Sequence, residues 1–416
     1  MIVTAVAIGT RGDVQPLAEL GQEMTKRGHT FRVAALEKFK DLIEAKGVGY
    51  IHLDGDADLL MKLLVTEYKT SGDFVKGCEK LYHSVPGIMD QIAEAVKGSD
   101  LVMYGLLAGF ARHACDLYHI PCIRLFYSPF DKTNRYSLYT AKHNSFTVGM
   151  TYLSEEPGMN LLTLRLANSW IKEHGLKKWK MTDDYRKQNG RPVLTFYPVT
   201  PILMPPDPKW GQHIHVTGYW YHPDAYKDYI PENSLKVFLE EGEKPVFICF
   251  GKAESEELRE LQKRTLLAVN KLKIRAVIQA DQISEKDKAE CGGNVFFTGN
   301  VPYEWIFEKV KAVVHHGGCT TNGIGIRAGC PTLILALALD QYYFGRAIYE
   351  NGLGPKPLYI RKKLCSQQQI EDALSELVTG KFDQNAAAAA ERIKQENGCK
   401  LAADIMEHYK AAIDKE

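Results

Sequence analysis

The stretch Ala312–Asn322, AVVHHGGCTTN, holds the end of one structural element and the start of the next. Its apolar opening, with His315, predicts a buried strand over 312–315, and Gly317-Gly318 permit a tight turn. Thr320, Thr321 and Asn322 then suit the first turn of a helix. A strand that passes through glycines into a helix is a natural anion site, because unbonded N–H groups and the positive dipole end face outward. An imidazole beside it adds a donor. The same alternation recurs outward in both directions. Strands are expected at Lys244–Gly251, Ile274–Gln279, Val295–Thr298 and Thr332–Leu337, with a helix near Glu256–Leu272. An earlier series has strands at Ile2–Ile8, Thr30–Ala35, Leu101–Tyr104 and Pro121–Phe126, and a helix over Leu17–Arg27 closed by Gly28. Short apolar strands alternating with amphipathic helices predict α/β architecture: two doubly wound parallel sheets, each covered by helices on both faces.

At 416 residues and 45% hydrophobic content, the chain has material for about two domains. The polar, aromatic, Pro-containing Tyr219–Asp224 is taken as the linker. The expected domains are therefore 1–222 and 223–385, with helices over 386–416 packing back on the first. Residues 127–181 are expected to be less regular. Sheets of this kind bind ligands beyond the carboxyl ends of their strands, so two facing units would share one cleft. The net charge of +1 gives no footprint for nucleic acid or an anionic membrane. Nine scattered cysteines, with no Cys-x-x-Cys, read as free thiols of a reducing compartment. The apolar run Pro331–Leu339 is too short to span a bilayer, and the expectation is a soluble, cytoplasmic protein. There is no Gly-x-Gly-x-x-Gly after either first strand and no Gly-Lys-Ser/Thr, which argues against dinucleotides and a P-loop. A metal site from His315, His316 and Cys319 is disfavoured, since neighbouring residues leaving a strand point to opposite faces.

Further stretches join the first: GTRGDVQP (9–16), VTGYWY (216–221), KPVFICFGK (244–252), VPYEWIF (301–307), Arg327-Ala328-Gly329 with Pro331, and Asp340-Gln341. Taken together, and covering nearly the whole chain, they resemble the inverting glycosyltransferases of the GT-B fold, nearest to the sterol and antibiotic glycosyltransferase branch of the UDP-glycosyltransferases. The resemblance implies two Rossmann-like domains, the first for the acceptor and the second for a nucleotide sugar. It also implies that no metal or other cofactor is required. His316 matches the histidine that contacts the donor diphosphate, and Gly318, Cys319, Thr320 and Thr321 match the loop that cradles it. Val301 and Trp305 lie where the family walls the nucleobase, and Asp340 and Gln341 match the pair that grips the transferred sugar. Asp13 matches the proposed general base, with Thr10 and Arg11 beside it facing the donor. Lys252, Cys319, Thr320 and Ala336 depart from the family's usual residues; a lysine near the phosphates adds attraction, and Thr320 restricts a loop that glycine normally frees.

Read locally, Gly9 and Gly12 would permit a tight turn at the sheet's edge, and Asp13 could instead cap a helix beginning near Gln15-Pro16. Asp340 likewise could be a plain N-cap. Leu60, Met61, Phe126, Phe130, Tyr136, Tyr139 and Phe146 are candidates for an apolar acceptor pocket in the first domain. The expected activity is that of a hexosyltransferase (EC 2.4.1.-) that moves glucose from UDP-glucose to a hydroxyl of a sterol, polyketide or phenol. Two rivals are a GT-B sugar-nucleotide epimerase and a nucleotide-sugar-binding partner without catalysis.

Overall fold

A computed structural model describes every residue except 64–70, 134, 137–144, 223–225, 227, 252–254, 280–282, 338–339, 361–363 and 416, and gives no side-chain placement for 57, 61, 71, 145–147 and 153–156. The chain divides into two compact units, with the break between Tyr221 and His222 and the last helix returning to the first unit.

In the first unit, seven parallel strands form one sheet: β1 (Ile2–Ala7), β2 (Thr30–Leu36), β3 (Gly49–Leu53), β4 (Leu101–Tyr104), β5 (Cys122–Leu125), and, after the small antiparallel pair β6 (Lys187–Gln188) and β7 (Arg191–Pro192), β8 (Leu194–Tyr197) and β9 (Ile214–Val216). Their order is β3-β2-β1-β4-β5-β8-β9. Side chains alternate between faces along a strand, and the two cores follow that alternation. Val3, Ala5 and Ala7 pack with the helix Arg11–Lys26, whereas Val6, Val102 and Tyr104 pack with Ile88–Val96 and Ala111–Leu117 on the other face. Burial on both faces is why these strands read as unbroken apolar runs.

The last helix, Gly398–Ile413, seals the first of those faces with Cys399, Ala402, Ala403 and Met406. Gly398 fits because a Cβ there would lie 2.5 Å from the Gly218 carbonyl oxygen. Arg27 Nη1 then holds Asp404 at 2.6 Å and Glu407 at 3.2 Å. The preceding helix Asp383–Lys394 stays in the second unit, against the helix Cys319–Arg327. The tail therefore divides between the units instead of packing as one block.

The second unit holds six parallel strands: β10 (Val246–Ile248), β11 (Ala276–Gln279), β12 (Val295–Thr298), β13 (Ala312–His315), β14 (Thr332–Ala336) and β15 (Leu358–Tyr359), in the order β12-β11-β10-β13-β14-β15. In each sheet the chain first builds outward on one side of its opening strand and then crosses to the other. The switch lies between β1 and β4 in the first sheet and between β10 and β13 in the second. A crevice at the carboxyl ends of such a strand pair is where open α/β sheets hold ligands. The middle of the first unit differs from expectation: Ser145–Leu166 is a helix. No helix among the described residues is long and apolar enough to cross a membrane.

Candidate active site

At the switch of the second sheet, the chain leaves β10 after Ile248 and reaches Gly251 three residues on, while β13 ends at His315. The strands are paired in register, Ile248 beside Val314, which brings Gly251 against the His316 ring. Gly251 has φ +78°, and a Cβ there would stand 3.1 Å from His316 Nδ1. On the ring's other edge, a Cβ on Gly318 would stand 2.7 Å from Nε2. The imidazole is thus seated between two glycines. Its Nδ1 is buried without a hydrogen-bond partner among the described residues, and desolvation pushes its pKa down to about 4. At neutral pH His316 is an uncharged donor.

The turn that follows is pinned from both sides. Gly317 N–H donates to His315 Nδ1 at 3.0 Å, and the Asn322 side-chain amide donates to the carbonyls of Gly317 (2.9 Å) and Gly318 (3.0 Å). Gly317 has φ +95°, and a Cβ would meet Ile334 Cγ2 at 2.8 Å and Gln341 Cβ at 3.5 Å, so only glycine suits the position. His315 is fully buried, and desolvation holds its pKa well below the usual value; it serves the turn, while His316 stands beside it. Gly318 is the N-cap of Cys319–Arg327 with no side chain capping the helix. The first-turn amides are those of Cys319, Thr320 and Thr321, which an anion can satisfy. Thr320 therefore lies inside the helix, where a β-branched residue costs little, and the expected restriction of a glycine-like loop does not arise.

Asp340 and Gln341 follow β14, next to the Gly317 turn. Asp340 occupies the N-cap position of Gln341–Glu350 in helical geometry, and its side chain makes no capping hydrogen bond. Gln341 Oε1 accepts from Leu337 N–H at 2.7 Å, which orients the side chain. Beyond β12, Val301 is buried and Trp305 packs edge-on against Tyr229, with ring centroids 5.2 Å apart. Lys252 lies outside the described residues. Among the described residues there is no group of three or more His, Cys, Asp or Glu able to hold a metal ion.

At the switch of the first sheet, the helix starts at Arg11, well before the expected Leu17, because Thr10 and Asp13 form the start. Asp13 Oδ2 accepts from Thr10 N–H at 2.7 Å and from Thr10 Oγ1 at 3.1 Å, the arrangement by which a third-position carboxylate reaches back to cap a helix. Asp13 is thus in the first turn, not ahead of a helix beginning at Gln15, and Gly12 is helical instead of forming the turn. Pro16 lies inside the helix. Burial raises the Asp13 pKa above its usual value against the lowering effect of the Thr10 bonds. Arg11 is exposed, with Nε donating to Gln15 Oε1 at 2.9 Å. The Tyr127 hydroxyl donates to the Asp13 carbonyl at 3.1 Å.

Gly9 has a more specific task than bending the chain. A Cβ there would collide with the Asp13 carboxylate and lie 2.8 Å from Asp13 Cβ. Gly9→Ala should accordingly displace the carboxylate from Thr10 and reduce turnover by about tenfold or more, the scale on which misplacement by an ångström acts. Circular dichroism should show a folded protein. Full activity in this variant would mean that the position of Asp13 does not matter.

An open, mainly apolar pocket lies at the same end of the first sheet, walled by the segment after β4 (Tyr104–His113), by Phe126 after β5, and by Phe74, Met159 and Trp179. Of the candidate acceptor residues, Phe126 lines it. Phe130 stacks on Phe126 at 4.6 Å but is not part of the lining, Leu60 is buried in the core, and Tyr136 bonds the Pro205 carbonyl through its hydroxyl. Tyr139 and the side chains of Met61 and Phe146 lie outside the described residues. The sequence reading missed His113, which reaches the pocket only through the fold.

Comparison with known proteins joins these halves. Residues 3–100 match the glycosyltransferase family 28 N-terminal domain, and residues 263–405 match the erythromycin biosynthesis protein CIII-like C-terminal domain. The chain is 30% identical over 415 residues to a sterol 3-beta-glucosyltransferase of Yarrowia lipolytica, with 96% of this chain aligned to 28% of that protein. With the Arabidopsis thaliana sterol 3-beta-glucosyltransferase it shares 26% identity, over 96% of this chain and 64% of the relative. The chain thus spans less than two thirds of the length of these relatives. Its fold matches the glycosyltransferase of kitacinnamycin with a TM-score of 0.72 at 17% identity, covering 98% of each chain. It matches the glycosyltransferase VinC, solved in complex with dTDP, at 0.66 and 16%, covering 98% of this chain and 99% of that one. With both domain families present in order on two doubly wound units, the chain belongs to the UDP-glycosyltransferase superfamily of GT-B fold.

Proposed function

We propose that the protein transfers a hexose, glucose from UDP-glucose, to a hydroxyl of a lipophilic acceptor such as a sterol, polyketide or phenol, with inversion at the anomeric carbon. The observation that carries this reading is the neutral His316, with a buried unpartnered nitrogen, beside the uncapped start of Cys319–Arg327. A donor imidazole next to the first-turn amides of a helix with no side-chain cap suits a diphosphate. The acceptor oxygen attacks the anomeric carbon as the bond from that carbon to the diphosphate oxygen breaks. Asp13 takes the proton of the attacking hydroxyl, and its burial, which raises its pKa, makes it a better acceptor than a solvated carboxylate. His316 and the amides of Cys319, Thr320 and Thr321 receive the charge that develops on the leaving group. Val301 and Trp305 face the base, Asp340 and Gln341 the sugar, and the apolar pocket of the first unit receives the acceptor. No metal takes part in these steps. The names of the sterol glucosyltransferase relatives support glucose and a sterol, and the dTDP bound to VinC makes a thymidine donor worth including.

The test is mass spectrometry of the protein with UDP-glucose or dTDP-glucose and a panel of sterols, polyketides, phenols and polar sugars, with and without EDTA. A glucosylated lipophilic product at equal rate in EDTA is expected. An isomerised donor would replace the proposal with an epimerase, binding without turnover would replace it with a non-catalytic partner, and transfer only to polar sugars would overturn the acceptor class.

Asp340→Ala separates the sugar from the nucleotide. The Asp340 side chain makes no capping hydrogen bond to its helix, and melting curves run beside the binding measurement separate any loss of fold from loss of sugar contact. UDP affinity should be nearly intact, while the added affinity of UDP-glucose over UDP falls by about 1–3 kcal/mol, the value of a hydrogen bond to a charged group. Calorimetry showing equal losses for both ligands would remove Asp340 from the sugar site.

A further inference from the structure

The pocket of the first unit is mainly apolar, and two neighbouring polar side chains in its wall, Arg112 and His113, have nitrogens without a hydrogen-bond partner among the described residues. His113 is 5% exposed and lines the pocket on the helix Ala111–Leu117. Its ring meets Trp179 edge-on, with centroids 5.2 Å apart, and neither ring nitrogen has a hydrogen-bond partner among the described residues. Its neighbours are bonded within the protein, apart from Arg112 Nε, which is buried without a partner among the described residues. Arg112, the adjacent residue, pairs with Asp116 and donates to the Lys187 carbonyl at 3.0 Å. The Tyr82 hydroxyl donates to the Leu107 carbonyl and the Thr163 hydroxyl to the Met159 carbonyl at 3.1 Å. Desolvation pushes the His113 pKa down to about 4, with a smaller contribution from Arg112, so the imidazole is neutral and offers one donor and one acceptor. Buried polar groups in folded proteins are almost always hydrogen-bonded. The His113 nitrogens are not sealed within the protein but belong to the pocket wall, where a group on a ligand can bond them.

The pocket and Asp13 sit at the same end of the first sheet. Phe126 lines the pocket, and the next residue, Tyr127, holds the Asp13 carbonyl. A ligand that presents one hydroxyl to Asp13 and fills this pocket therefore needs a second oxygen to satisfy His113. We infer that His113 is a specificity-determining residue, and that the acceptor is an apolar ring compound with two oxygen functions: the hydroxyl that is glycosylated, and a distal hydroxyl or ketone that hydrogen-bonds to the His113 ring. This rests on the reading of the pocket as the acceptor site. The physical asymmetry is strong, because a site built to hydrogen-bond a substrate oxygen rejects the analogue without it far more than an apolar site rejects an added hydroxyl.

The experiment compares matched steroids that share a reactive 3β-hydroxyl and differ at C17: a plain methylene, a 17-ketone and a 17β-hydroxyl. With UDP-glucose as donor, kcat/KM is measured for the full chain and for His113→Phe and His113→Gln. The parent should favour the 17-oxygenated compounds by about 10- to 100-fold. His113→Phe should abolish or reverse that ratio, and His113→Gln, which keeps a donor and an acceptor, should restore much of it. Each ratio is internal to one variant, so a general loss of folded protein leaves it unchanged; should His113→Phe not fold, the Gln variant and the parent ratio decide. Equal rates for all three steroids in the parent, or an unchanged ratio in His113→Phe, overturn the role of His113 while the transferase reading stands. Turnover of none, and binding of none by calorimetry, overturns the acceptor site itself and this proposal with it.

Discussion

Asp13→Asn is expected to lower kcat by about 10²–10⁴, the usual contribution of a general base, in a protein that melts no earlier than the parent at pH 7. The amide oxygen can still accept from Thr10 N–H, as Oδ2 now does at 2.7 Å, so the start of the helix is kept while the proton acceptor is lost. The sign of the stability change follows from the raised pKa. A carboxyl whose folded pKa lies above its unfolded value contributes stability below the unfolded pKa and loses it as pH rises through the folded one. At pH 7, above the unfolded pKa, the buried carboxyl has therefore lost part of the stability it contributes in acid, and asparagine, which does not titrate, avoids that loss. Activity runs the other way, because the base must be ionised. The parent's kcat/KM should fall as pH drops through the elevated Asp13 pKa, and the residual activity of Asp13→Asn should lack that acidic limb. Turnover within a few-fold of the parent would show that another residue takes the proton.

His316→Ala should lower kcat by about 10²–10³, the scale of losing one preorganised donor to developing charge. It should also weaken UDP and UDP-glucose alike, since both carry the diphosphate. This distinguishes it from Asp340→Ala, whose loss appears only with the sugar. His316→Asn retains a donor and should recover part of the rate. The ring is seated between Gly251 and Gly318, so melting curves of both variants are needed beside the kinetics. Undiminished UDP affinity in His316→Ala would take the imidazole off the diphosphate.

Much of the architecture was legible because buried parallel strands advertise themselves. Leu101–Tyr104, Val295–Thr298 and Ala312–His315 are continuous apolar or near-apolar runs, and each is a strand over the expected residues. Gly49–Leu53 and Ile214–Val216 escaped notice because they lie at the sheet's two edges and are partly exposed, which dilutes the apolar signal. The helix Ser145–Leu166 was hidden by Gly149, Pro157 and Gly158 and by apolar residues that form no single stripe. The helix at Arg11 began early because the bond between Thr10 and Asp13 precedes the first apolar repeat on which periodicity depends.

The same division applies to the site. His316, Gly317, Gly318 and the helix start after them are consecutive, and the anion site proposed there depends on local chemistry: glycine conformations, the amides of a helix start and one imidazole. That much the sequence determined by itself, together with the two-unit α/β plan, because strand burial and helix periodicity are properties of neighbouring residues. Only the tertiary structure decided that Gly251 would meet the His316 ring, since this depends on β10 pairing with β13 across the switch. It alone decided that Tyr127 would hold Asp13 and that His113 would face an apolar pocket without a partner. Such contacts follow from strand order and from which sheet face each helix covers. Those are set by the packing of the whole core, and no local stretch of sequence encodes them.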